Sequence, residues 1–223
     1  MTPTTHPAAR YSRGEEIANS ITHGLGTVLS IGGLALLIAF ASRYGNAWHI
    51  VSCSIFGTAL ILLYAASTLY HVVQRPAAKS VLRILDHAAI LVLIAGTYTP
   101  FTLVSLRGPW GWTLFGVIWG LAVMGIIIEI TRLRRFRAGL IALYVIMGWA
   151  VIAAIKPMLD SVSSGGLQLL LAGGLAYTGG VVFYLWKRLP YNHAIWHLFV
   201  LTGSIFHFLA ILLYVIPVFG PAG

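Results

Sequence analysis

The chain has 223 residues, of which 59% are hydrophobic and only 9% charged, with a mean hydropathy of +0.90. Soluble domains carry about 25% charged residues, so a water-soluble globular fold is excluded and a bilayer is the solvent this composition suits. The net charge of +9, from fourteen Lys and Arg against five acidic residues, does not indicate a nucleic-acid partner, because the basic residues fall in short clusters between apolar runs.

A membrane-spanning helix needs ~20 mostly apolar residues. Runs of that kind lie near residues 20–41, 48–73, 82–105, 110–130, 139–158, 167–186 and 194–217, which predicts an all-α bundle of seven transmembrane helices. The breaks between them hold turn residues, as in Arg107-Gly-Pro109, Ser163-Ser-Gly-Gly166 and Leu189-Pro-Tyr-Asn192. Residues 1–15 read as a cytoplasmic tail and 16–223 as one transmembrane domain. The first run has no small-residue cleavage pattern and is expected to stay in the mature protein. The single cysteine, Cys53, leaves no internal disulfide and reads as a packed thiol within a helix.

Basic loops stay on the cytoplasmic side. Eleven of the fourteen basic residues fall on one side of the predicted bundle: Arg10, Arg13, Arg75, Lys79, Arg83, Arg132, Arg134, Arg135, Arg137, Lys187 and Arg188. Arg43, Arg107 and Lys156 are on the other. The expected orientation is therefore N-terminus in the cytoplasm and C-terminus outside, opposite to a G-protein-coupled receptor. A microbial rhodopsin is also disfavoured, since the seventh run has no lysine to hold retinal.

Ionisable residues in spanning helices are costly and need a partner or a task. Ser67 and His71 end the second run, Asp86 and His87 begin the third, and His193 and His197 begin the seventh. All therefore lie at one depth, on the side expected to be cytoplasmic. His193 and His197 are four apart, so their imidazoles share a helical face with Cβ atoms about 5–6 Å apart. With His71 they would form a set of three neutral imidazoles with an open fourth position, as in catalytic zinc sites. Asp86 would then orient the site or act as a base on the attacking water, and Ser67, one turn before His71, could hydrogen-bond that water or a substrate carbonyl. The alternative is that the histidines snorkel or bond a neighbouring helix.

Glu16, Asn19 and His23 share a second face, read as a capping and packing cluster ahead of the first run. His87 projects about 100° away from Asp86 and reads as structural. His207 lies ~15 Å beyond His197 along a helix, too far to join the same metal, and reads as a hydrogen-bonded core histidine. Glu129, beside Arg132, is expected in a surface ion pair. His6 and His49 are assigned to tail and loop.

The segments Glu16-Ile-Ala-Asn-Ser-Ile-Thr-His-Gly24, Ser67-Thr-Leu-Tyr-His71, Leu85-Asp86 followed by Gly96-Thr-Tyr-Thr-Pro100, and His193-Ala-Ile-Trp-His197 resemble the motifs of the hemolysin III group of the progestin and adipoQ receptor (PAQR) family. The resemblance covers about residues 14–217. In the related adiponectin receptors three histidines, matching His71, His193 and His197, hold zinc, an aspartate matching Asp86 contacts the water beside it, and a serine matches Ser67. The wider group includes alkaline ceramidases, which hydrolyse lipid amides. The sequence lacks the long N-terminal segment of the receptors, against a hormone-receptor role. It has no amphipathic pore-forming segment that would suit a secreted toxin.

The resemblance implies a zinc-binding multi-pass protein of a plasma or bacterial inner membrane. The expected activity is hydrolysis of a lipid amide or ester with zinc-activated water, with membrane lipids as partners. The alternative is a non-enzymatic sensor, receptor or channel in which zinc only staples helices. The orientation is testable directly. A reporter that works only outside the cytoplasm should be active when fused after Gly223, and a cytoplasmic reporter should be active between Arg134 and Arg137. The reverse pattern would overturn the assignment.

Overall fold

The computed structural model describes residues 11–131 and 137–217. The fourth-loop residues Arg132, Arg134 and Arg135, the tail residues 1–10 with Arg10 and His6, and the last six residues lie outside the described residues. Among the described residues seven helices are long and apolar enough to cross a membrane. They are α1 (Arg13–Tyr44), α2 (Ala47–Val72), α3 (Pro76–Ser105), α4 (Pro109–Ile130), α5 (Ala138–Ser161), α6 (Ser164–Leu185) and α7 (Asn192–Tyr214).

The helix starts follow local capping chemistry. Ser12 and Glu15 form a reciprocal capping box, with Glu15 Oε2 accepting from the Ser12 amide at 2.8 Å and Ser12 Oγ accepting from the Glu15 amide at 3.3 Å. The helix therefore begins at Arg13 and already carries Glu16, Asn19 and His23 in its first turns, earlier than the apolar run indicates. Asn46 caps α2 by accepting from the Trp48 amide at 2.9 Å. His49 lies in the first turn of α2, its Nδ1 accepting from the Asn46 amide at 3.2 Å, and so is not a loop residue. Pro76 opens α3 at a position where a missing N–H costs nothing, which brings Lys79 into the helix rather than the preceding loop.

Packing runs in sequence order: α1 lies on α2, α2 on α3, α3 on α4 and α6 on α7, and α7 returns to α1. The span α5 touches α3, α4 and α6 much more lightly. Outward faces carry exposed residues such as Ile21, Val28, Val51, Leu62, Ile127, Ile146 and Val182. An apolar exterior of this extent belongs in lipid. The helices approach closely where small residues allow it. At Gly26 of α1 an added Cβ would lie 2.4 Å from Tyr64 Cδ1 of α2, so any side chain there would drive the two helices apart. Deeper in the bundle, Tyr64 of α2 donates to Ser204 Oγ of α7 at 2.8 Å, and Tyr177 of α6 meets the same oxygen at 2.8 Å.

Two spans depart from α geometry, and one side chain connects them. Pro100 lies inside α3 and a wide turn follows over Phe101–Ser105, where the Leu106 amide bonds the Phe101 carbonyl at 2.8 Å. In α5 the helix through Trp149 tightens to a 3-10 turn over Ala150–Ala154 before resuming at Ile155–Ser161. Tyr98 of α3 reaches this break: its hydroxyl faces the Met147 and Gly148 carbonyls at 2.9 and 3.0 Å and accepts from the Val151 amide at 2.9 Å. Lipid cannot satisfy backbone groups released by a helix break, so a phenol from the neighbouring helix does so. Replacing Tyr98 by Phe keeps the ring and removes these bonds. Thermal unfolding in detergent should show a loss of about 1–3 kcal/mol for the stranded groups, while Tyr144→Phe, whose hydroxyl makes one long 3.4 Å contact to the His87 carbonyl, should cost less.

Candidate metal centre

The residues predicted to carry chemistry meet at one end of the bundle. His71 and Ser67 come from the last two turns of α2, and His193 and His197 from the first two turns of α7. The three histidines are buried, and one ligand atom from each lies within 4.8 Å of the others. Their ring centroids are 5.2 Å apart for His71–His193, 5.2 Å for His71–His197 and 4.5 Å for His193–His197. Three imidazole nitrogens at this separation, from two helices, can hold one metal ion.

The entry of α7 into the site depends on its loop. Tyr191 is left-handed, with φ 56°, and its amide donates to Glu15 Oε1 at 3.2 Å. The Asn192 side-chain amide donates to the Phe183 and Tyr184 carbonyls at 3.0 and 3.3 Å. These bonds close the end of α6 while fixing the first turn of α7, which sets where His193 and His197 project.

The first helix does more than pack. Glu16 Oε2 accepts from His71 Nδ1 at 2.6 Å, with the Asn19 amide nitrogen 3.4 Å from the same ring nitrogen. The second Glu16 oxygen accepts from Lys79 Nζ at 2.7 Å. Thr22 Oγ1 stands 3.1 Å from His197 Nδ1, and His23 stacks on His197 with ring centroids 3.4 Å apart and planes 14° from parallel. The expected capping and packing cluster is corrected on this point. Ser12 and Glu15 supply the cap, Glu16 bonds a member of the triad, and the Asn19 side chain lies against the same ring. Thr22 escaped the sequence reading, although it lies three residues after Asn19 and so on a neighbouring line of the same helical face. The parallel stacking of His23 and His197 gives their ring nitrogens parallel rather than converging directions, so His23 does not complete the triad as a fourth ligand. Tyr11 closes the end of the site, its ring 5.1 Å from that of His193.

His193 and His197 of the triad line a cavity of about 710 Å³, together with Ser67 and Asp86. Its walls are mainly apolar, with Leu63, Ile90, Leu93, Ile141, Val145 and Val200 among them. Asp86 is buried on α3, and Ser67 Oγ is buried without a hydrogen-bond partner among the described residues. Orphaned buried hydroxyls are rare and call for an occupant. Two further ionisable groups on the wall form a pair, with His87 Nδ1 3.0 Å from Glu129 Oε1. Glu129 is only 3% exposed, so it is not the surface residue expected from its position beside Arg132. It lies on the inner face of α4 because only there can a buried partner offset the loss of hydration. His207 also fits its expected role as a core histidine, with Nε2 3.2 Å from the Leu170 carbonyl.

Fold and site together define a multi-pass membrane protein of seven helices, with a buried histidine triad able to hold a metal ion, two members of which line a cavity within the bundle. Residues 11–208 match the family described as haemolysin-III related. The chain is 52% identical to Hemolysin-3 of Bacillus cereus over 203 residues, covering 91% of this chain and 93% of that protein. It is 50% identical to the Hemolysin-3 homolog of Bacillus subtilis (strain 168), covering 92% and 96%. Similarity extends to the human monocyte to macrophage differentiation factor, at 32% identity over 88% of this chain and 83% of that one. The chain belongs to the haemolysin III family, the group within the progestin and adipoQ receptor family that its motifs indicate.

Metal content tests the ligand set. Gently purified protein should carry about one metal ion per chain, strongly reduced in His193→Ala and in His197→Ala because two imidazoles hold an ion poorly. His207→Ala should retain it. Elemental analysis that found metal kept in His197→Ala and lost in His207→Ala would refute the assignment.

Proposed function

We propose that this protein is a zinc-dependent hydrolase that cleaves a lipid amide or ester from within the membrane. One observation carries the reading: two members of the three-histidine cluster, His193 and His197, line a large, mainly apolar cavity that also presents Asp86 and Ser67. A structural zinc site is normally closed by four protein ligands, whereas catalytic sites use three and leave a position for chemistry. The donor set fits zinc, since neutral imidazole nitrogens are among its preferred ligands. His71, His193 and His197 would hold the ion, which when bound supplies Lewis acidity to the scissile carbonyl and makes water nucleophilic near neutral pH.

The chain's own groups supply the rest. Asp86 takes the proton from the attacking water and returns it to the departing amine or alkoxide, as a buried carboxylate beside the reacting atoms can. Ser67 Oγ, which has no hydrogen-bond partner among the described residues, donates to the carbonyl oxygen or orients the water. The apolar walls receive the hydrocarbon part of the substrate and keep bulk water from the reacting atoms. Sequence charge supports a site facing the cytoplasm. The relatives named Hemolysin-3 suggest an effect on membranes, which is compatible with action on lipids.

Asp86→Asn separates catalysis from stapling, because it preserves shape and removes the base. Zinc content, thermal stability and fatty-acid release from a broad panel of lipid amides and esters would be compared for wild type, Asp86→Asn and His71→Ala. Turnover is expected only in the wild type, with zinc retained in Asp86→Asn and weakened in His71→Ala. If the wild type turns over nothing while His71→Ala loses stability and its phenotype in cells, the same triad is a staple between α2 and α7 in a sensor, receptor or channel.

A further inference from the structure

Two of the three histidines are held from behind by α1, and the chemistry of the holding groups fixes which nitrogen of each ring carries hydrogen. Glu16 Oε2 lies 2.6 Å from His71 Nδ1. A carboxylate offers acceptors only, so Nδ1 donates and the lone pair of the neutral ring is on Nε2. Thr22 Oγ1 lies 3.1 Å from His197 Nδ1. Its single hydrogen has the Ala18 and Asn19 carbonyls as acceptors at 2.9 and 3.0 Å, which leaves the oxygen lone pair to accept from His197. His197 is therefore also an Nδ1–H ring with its lone pair on Nε2.

We propose that Glu16 and Thr22 are positioning residues for the metal site, fixing the tautomer and ring direction of His71 and His197 so that both present Nε2 to the ion. The inference rests on the metal-binding part of the function proposed above and not on hydrolysis. Glu16 also contributes charge: a carboxylate behind a ligating imidazole makes the ring more basic and the nitrogen opposite a better donor. Lys79 Nζ, 2.7 Å from the other Glu16 oxygen, ties that carboxylate to α3, so three helices converge on one side chain. Thr22 is held differently, by the backbone of its own helix, so a rigid α1 sets the direction of His197. The N-terminal turns of α1, which precede the apolar run, thereby belong to the metal centre.

Zinc affinity of the detergent-solubilised full-length chain, measured with zinc chloride against a competing chelator, tests this alongside the thermal midpoint of the metal-free protein. Glu16→Gln keeps an acceptor but loses the charge, and Thr22→Val keeps the shape but loses the acceptor. Each should weaken zinc binding by about 10–100-fold while the metal-free midpoint stays near wild type. Thr22→Ser, which restores the hydroxyl, should bind as wild type does. Glu129→Gln, which alters the separate pair with His87, should also leave affinity unchanged. Wild-type affinity in both Glu16→Gln and Thr22→Val overturns the proposal, as does a loss of affinity that only follows a loss of metal-free stability, or Thr22→Ser as weak as Thr22→Val. If the wild type itself binds no zinc, the metal reading fails and this inference fails with it.

Discussion

Hydrocarbon offers no hydrogen bonds, so every polar group brought into this bundle must find its partner inside the protein. That constraint explains why the polar residues around the triad are shared among helices. Glu16 of α1 is bonded to His71 of α2 and Lys79 of α3, and Thr22 of α1 to His197 of α7. Moving any one of these helices along its axis would strand polar atoms on at least one neighbour. The triad's geometry and the relative heights of α1, α2, α3 and α7 are therefore determined by the same bonds.

The rest of the fold relies on close approach rather than on polar bonds. Lipid is as apolar as the helix surfaces, so association depends on packing and on a few interhelical hydrogen bonds. Gly26 admits the Tyr64 ring, which in turn meets the His23 ring edge-on at 4.9 Å and donates to Ser204. A glycine of α1 is in this way connected through one tyrosine to the floor of the metal centre. The lightly packed α5 is the exception, and its irregular segment is held by Tyr98 in place of its own backbone.

Much of this was legible in the sequence because the relevant signals are local. Twenty-residue apolar runs identify spans regardless of partners, and the spacing of His193 and His197 already implies one face. What was not legible depends on which helices become neighbours. Glu129 looks like a surface residue beside Arg132 until α3 and α4 pack and bring His87 to it. Glu16 resembles an ordinary acidic residue in a first helical turn, and Lys79 a loop charge, until both are seen around His71. Helix starts were placed late at α1 and α3 because polar first turns are silent in hydropathy, although the Ser12 cap and Pro76 mark them chemically. Tyr98 stood within a recognisable motif, yet nothing local indicates that its hydroxyl serves a break in another helix.

The triad is built from the last turns of α2 and the first turns of α7, so it lies near one end of the spans and not at their middle. A bilayer is two monolayers, and lipids cross between them slowly without help. A triad at this height stands level with one monolayer and away from the other. The polar end of any molecule held at the triad would therefore stand level with a single leaflet, while the cavity itself reaches deeper, to Tyr98 and His207.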